Sequence, residues 1–146
     1  MDGLPQGYDV HPGALMARIL VVDDEKDAAF MIKFILEKGG HSVQTASNGE
    51  EALLRLGIDP PDPKALLPDL VLLDVMMPVM DGFTVSVHMR QDPRTAALPI
   101  VVIAAHGDMR HLFIGAPNVA DFVQKPFDPK LLEDAVAKAL VGRNPS

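Results

Sequence analysis

Leu70-Val71-Leu72-Leu73 is an unbroken apolar run that ends on a carboxylate, Asp74. Four apolar residues without alternation read as a strand covered on both faces. Asp74 precedes Pro78 closely enough to be a loop acid, but its place directly after the apolar run argues for a strand end. The same pattern recurs on either side. Ile19-Leu20-Val21-Val22 ends in Asp23-Asp24, and Ile100-Val101-Val102-Ile103, with Pro99 in front, ends in Ala104-Ala105. Two shorter strands are expected at 42–46 and around Phe122-Val123, the latter running out near Lys125.

Helical patterns separate these strands. Residues 27–38 carry Ala28, Met31, Ile32, Ile35 and Leu36 at amphipathic spacing, and Gly39-Gly40 stops them. Asn48 is placed to cap a helix through Ala52, Leu53 and Leu56. Further helices are expected over 82–90 and, more weakly, over 108–115. A last one opens at Asp128-Pro129, with Asp as cap and Pro at the first helical position. There Leu131, Ala135 and Ala139 form one row, and Leu132, Val136 and Leu140 the next. Pro60, Pro61 and Pro63 make 59–63 a surface loop. Five strands alternating with five helices predict an α/β fold built on a doubly wound parallel sheet. Ligands of such sheets sit at the carboxyl ends of the strands, near the switch in strand order.

The chain has 146 residues, which suits one domain with a real core. Residues 1–16 read as a flexible extension broken by glycine and proline, 17–142 as the folded unit, and 143–146 as a tail. There are no cysteines, so disulfides and thiolate metal sites are excluded. The first residues lack the basic start and apolar middle of a secretion signal, and no apolar run reaches membrane-spanning length. The expectation is a cytoplasmic protein without membrane contact. A net charge of −7 with no Lys/Arg cluster points away from nucleic acid. His11, His41, His88 and His111 show no metal-ligand spacing.

Asp23, Asp24, Asp74 and Lys125 all fall at carboxyl ends of expected strands. Asp24 and Asp74 are 50 residues apart, and Asp74 and Lys125 are 51 apart, each about two strand–helix units. Asp23-Asp24 alone would read as a helix cap, and Lys125 alone as a surface lysine; the ensemble changes both readings. Crowded carboxylates repel one another, and a hard divalent cation resolves the repulsion. Magnesium (or manganese) suits a few carboxylates, waters and a phosphate, whereas calcium wants more protein ligands. A carboxylate can act as nucleophile and hold a phosphoryl group as a mixed anhydride. A cation and a lysine then neutralise the charge on the phosphoryl oxygens.

Three stretches resemble the receiver domain of bacterial response regulators. These are Ile19-Leu-Val-Val-Asp-Asp-Glu25, the segment from Asp69 through Asp74 and Pro78 to Asp81-Gly82, and Lys125-Pro126-Phe127. The resemblance spans about residues 17–141. It implies a flavodoxin-like sheet of strand order 2-1-3-4-5. It implies Asp74 as phosphoacceptor, Asp24 as direct metal ligand, Asp23 as a ligand mainly through water, and the backbone carbonyl of Met76 as the remaining protein ligand. It further implies Lys125 on the phosphoryl oxygens, Phe122 at the aromatic switch position, and a cis peptide before Pro126. A sensor histidine kinase or histidine phosphotransfer protein would be the donor. A downstream protein would bind the surface of the fourth helix, fifth strand and fifth helix. With the sequence ending at Ser146, a stand-alone receiver is expected, a monomer or weak dimer and not an enzyme. The family places Ser or Thr where this sequence has Ala104, so coupling from Asp74 to Phe122 is expected to weaken. His106 stands where the family tunes hydrolysis, although an exposed loop histidine is the simpler reading.

Two other classes compete. Aspartyl phosphatases of the haloacid dehalogenase type also pair an aspartate nucleophile with magnesium, with the two acids two residues apart after the first strand. Asp23 and Glu25 would be that pair, and turnover of an external phosphoester would reveal it. A phosphorylation-independent, receiver-like interaction module is the third class, supported by Ala104 alone.

Overall fold

In the computed structural model, which describes residues 17–105 and 107–142, strands and helices alternate along the chain. In order they are β1 (Arg18–Val22), α1 (Lys26–Lys38), β2 (Ser42–Ala46), α2 (Gly49–Arg55), β3 (Leu70–Asp74), α3 (Gly82–Gln91), β4 (Ile100–Ala104), a 3-10 helix (Gly107–Phe113), β5 (Val119–Gln124) and α4 (Pro129–Gly142). All neighbouring strands are parallel, in the order β2-β1-β3-β4-β5. This is the expected flavodoxin-like receiver topology. The extension (1–16), the tail (143–146) and His106 lie outside the described residues.

Strand periodicity sorts the apolar side chains onto two faces. Ile19, Val21, Leu70, Leu72, Val101 and Ile103 pack with Ile32 and Leu36 of α1 and with Leu132, Val136 and Leu140 of α4. Leu20, Val22, Val71, Leu73, Ile100 and Val102 pack with Ala52 and Leu53 of α2 and with Val85 and Met89 of α3. Every residue of β3 and β4 is buried, which is why those runs show no alternation. Each fully buried Leu or Ile contributes about 1.5–3 kcal/mol, so Leu72→Ala would cost about 2–5 kcal/mol.

The helix starts are fixed locally. Asn48 Oδ1 accepts from the Glu51 N–H at 2.8 Å, Asp81 Oδ1 from Thr84 at 2.7 Å, and Asp128 Oδ1 from Lys130 at 2.8 Å. Such caps are each worth about 1 kcal/mol. The proline loop is anchored from across the fold: Arg94 donates to the carbonyls of Asp62 at 2.8 Å and Ala65 at 2.9 Å. Gly57 makes that turn with φ of 71°, where a Cβ would collide with the Asp62 carbonyl oxygen.

Three expectations need correction. Among the described residues there are four α-helices, not five, because residues 107–113 wind as a 3-10 helix. Gly115, at φ of 80°, and Pro117 follow it closely and leave no room for a longer helix. Met31 and Leu131, both expected on core-facing rows, are 55% and 61% exposed. The buried stripe of α1 is Ala29, Ile32 and Leu36, and that of α4 is Leu132, Ala135, Val136, Ala139 and Leu140.

Candidate functional site

Registration of the strands brings their carboxyl ends to one edge. Val22 pairs with both Ala46 and Leu73, Asp74 with Ile103, and Ala104 with Gln124. Asp23 follows β1, donates its N–H to Ala46 at 3.0 Å and is only 2% exposed. Asp74 closes β3 and is 4% exposed. Lys125 follows β5, its N–H bonded to the Ala104 carbonyl at 2.8 Å, and its peptide to Pro126 is cis. Gly82 lets this edge close: a Cβ there would collide with the Asp74 carbonyl and lie 3.0 Å from the Val75 Cα.

Asp23, Asp24 and Asp74 each present a carboxylate oxygen within 4.8 Å of the others, Asp24 being the least buried. The ammonium of Lys125 closes the group. Its Nζ lies 2.9 Å from Asp23 Oδ2, 2.9 Å from Glu25 Oε1 and 3.6 Å from Asp74 Oδ2. Asp23 is also held by the Glu25 N–H, which donates to its Oδ1 at 2.9 Å. The Asp23 Oδ2–Lys125 contact is ionic but off hydrogen-bond geometry, and that buried oxygen has no donor.

The electrostatics follow from this crowding. Burial pushes the Asp74 carboxyl up to about 7, and the adjacent Asp23 charge adds to the push. Lys125 and the Met76 N–H act in the opposite direction but do not prevail. Burial works against the charge on Lys125. Its contacts with Asp23 and Glu25 and the charges of Asp74 and Asp23 more than offset that, holding the ammonium above the ordinary lysine range.

A metal fits these residues. The donors are all hard oxygens, and three carboxylates share one small volume beside the Lys125 ammonium, leaving negative charge for a cation to offset. Met76 follows closely in the chain, its side chain 62% exposed and its N–H on the Asp74 carboxylate.

The remaining expected residues lie beside the cluster. Ala104 ends β4, 7% exposed, in the same apolar cluster as Phe113 and Phe122. The half-buried Phe122 ring meets Phe113 edge-on at 5.9 Å, and Phe113 meets Phe83 at 5.6 Å. The Arg110 guanidinium covers Phe122 at 4.9 Å. The sequence offers no signal for Arg110 here, and offers Glu25 only as the partner acid of Asp23 in the phosphatase alternative, not as a partner of Lys125. Glu25 and Lys125 are 100 residues apart, and no local pattern signals such a pair.

Residues 19–137 match the response regulator receiver domain. Over 114 residues the chain is 37% identical to the DNA-binding dual master transcriptional regulator RpaA of Synechocystis, covering 77% of this chain and 44% of that one. Over 131 residues it is 35% identical to the phosphate regulon transcriptional regulatory protein PhoB of Rhizobium meliloti, covering 88% and 54%. The chain thus spans about half the length of these curated relatives. Among solved structures, the Vibrio cholerae chemotaxis protein CheY4 superimposes with a TM-score of 0.74 at 26% identity, covering 85% of this chain and 98% of that one.

Proposed function

The chain belongs to the response regulator receiver domain family, and from that premise we propose that it accepts a phosphoryl group on Asp74 in two-component signalling. The observation that carries this reading is the buried Asp74 carboxylate facing Lys125 within a cluster of three carboxylates. Asp74 Oδ attacks the phosphorus of a phosphohistidine. The new O–P bond forms as the N–P bond breaks, and the departing imidazole nitrogen takes a proton from solvent. Asp74 is left as an acyl phosphate, which water later cleaves to carboxylate and inorganic phosphate. Lys125 shifts onto a phosphoryl oxygen and offsets its charge. Magnesium, held by Asp24, Asp74 and the Met76 carbonyl with Asp23 acting through water, would neutralise the other oxygens.

The donor in this reading is a histidine kinase or a histidine phosphotransfer protein in the cytoplasm, and the output is contact with another protein. One acyl phosphate per chain is signalling and not turnover, so the domain is not an enzyme acting on external phosphoesters. Among the described residues, no helix is long and apolar enough to cross a membrane. Ala104 favours one second reading, a receiver-like module that binds its partner without phosphorylation.

Intact-mass measurement after incubation with magnesium and phosphoramidate tests the proposal. One phosphoryl adduct, lost in Asp74→Asn, is expected. A folded, magnesium-binding protein that takes no adduct from phosphoramidate or from phosphohistidine donors would favour the second reading.

A further inference from the structure

Glu25 stands at the N-cap of α1 in extended backbone (φ −86°, ψ 111°), yet its side chain makes no cap bond. Caps favour short side chains that fold back onto the helix. Here the longer glutamate reaches across the site instead, and its Oε1 accepts a hydrogen bond from Lys125 Nζ at 2.9 Å. Its backbone is pinned in place by the bond from its N–H to Asp23 Oδ1 and by its carbonyl, which accepts from Ala29 at 3.0 Å. Lys125 therefore gives a well-formed hydrogen bond to an exposed acid, while Asp74 lies farther away at 3.6 Å.

We propose that Glu25 is a positioning residue, an ionic latch that holds the Lys125 ammonium off Asp74 until a phosphoryl group draws it away. The proposal rests on the receiver reading only for the identity of that group. The Lys125 head already sits 2.9 Å from both Asp23 and Glu25 and 3.6 Å from Asp74, so moving it toward a phosphoryl oxygen on Asp74 stretches the Glu25 bond. The latch keeps Lys125 ordered at the rim and sets a threshold that the incoming negative charge must exceed. Because Glu25 is exposed, the threshold is small.

Two substitutions separate this role from a structural ion pair. Glu25→Ala removes the bond. Glu25→Asp keeps the charge but is too short to reach Lys125, and it supplies α1 with the cap it lacks. With the new cap offsetting the lost contact, Glu25→Asp should melt no lower than the parent, so a faster reaction in that variant cannot come from a loosened fold. In the metal-free full chain, proton exchange at the Lys125 ammonium, followed by nitrogen-15 NMR, should quicken in both variants. Phosphorylation of Asp74 by phosphoramidate with magnesium should accelerate about two- to fivefold in both. The acceleration should vanish on a Lys125→Ala background. Unchanged ammonium exchange in Glu25→Ala overturns the latch whether or not Asp74 takes a phosphoryl group. Acceleration in Glu25→Ala but not in Glu25→Asp also overturns it, leaving only a through-space charge effect. A parent protein with no adduct would instead sink the receiver reading, with ammonium exchange still deciding whether Glu25 holds Lys125.

Discussion

Gly82 packs against the backbone of Asp74 with no room for a side chain: a Cβ would overlap the Asp74 carbonyl oxygen and sit 3.0 Å from the Val75 Cα. The Gly82 N–H also bonds the Val75 carbonyl at 2.9 Å. The first turn of α3 and the end of β3 are thus one rigid unit, and the position of Asp74 depends on it. Gly82→Ala should cost about 1–3 kcal/mol, the usual penalty for overpacking, and should slow phosphoryl acceptance by displacing the nucleophile. Urea denaturation and phosphoramidate kinetics read both effects. A variant as stable and as reactive as the parent would show that this packing does not set the site.

Asp74 gives the metal-free protein a distinctive pH dependence. Its carboxyl is raised from 3.8 to about 7, first by burial and then by Asp23. Between those values the folded chain holds a proton that the unfolded chain has released. The native state is therefore favoured at the acid end, and the advantage is lost as pH rises through 7. The stability of the parent relative to Asp74→Asn should fall across this window and level off above it. Magnesium, which binds the ionised form, should recover the loss at high pH. Parallel pH profiles for parent and Asp74→Asn would contradict this account.

Much of this edge was legible because it obeys local rules. Continuous apolar runs marked β1, β3 and β4, and the acids and lysine ending those strands marked the site. Asn48 and Asp128 signalled helix starts through residue type alone. What escaped depends on distance or on choosing between faces. Helix α1 carries Phe30, Met31 and Phe34 exposed beside its buried stripe, so apolar residues lie nearly all round it and spacing cannot say which face turns inward. Leu131 on α4 posed the same ambiguity. Residues 107–113 carry helix-compatible residues but, unlike α2 with Asn48, no sequence signal that separates α from 3-10 geometry. The Glu25–Lys125 bond joins the ends of β1 and β5, 100 residues apart in the chain.

Val79 is a strained residue in the loop after β3. It sits at φ of 71°, where β-branched residues are outliers, inside a tight turn closed by the Met80 N–H on the Pro78 carbonyl at 2.7 Å. At 81% exposed it has little packing to offset the strain. Glycine, with no Cβ, adopts positive φ without steric cost, so Val79→Gly should raise stability by about 0.5–1 kcal/mol. Thermal melting with magnesium absent checks it. A lower melting temperature would mean that contacts of the valine outweigh its backbone cost.

Ala104 is where the conformational response should differ from that of a receiver with a hydroxyl at this position. The Phe122 ring is held edge-on to Phe113 at 5.9 Å and beneath Arg110 at 4.9 Å, contacts that do not involve Asp74. With alanine ending β4, no side-chain hydroxyl there can follow a phosphoryl oxygen, so phosphorylation should disturb Phe122 little. Ala104→Thr restores the donor. A hydrogen bond to a charged group is worth about 1.5–3 kcal/mol, enough to shift a two-state population by more than tenfold. The added atoms enter a site that is 7% exposed and should lower the stability of the unphosphorylated protein by about 1–3 kcal/mol. NMR of the Phe122 ring and the Arg110 guanidinium, before and after loading with beryllofluoride and magnesium, separates the outcomes. A small change in the parent and a large one in Ala104→Thr would place the missing coupling at this residue. Equal changes in both would mean that the signal reaches Phe122 by another route, with the Arg110 contact the first to test by Arg110→Ala.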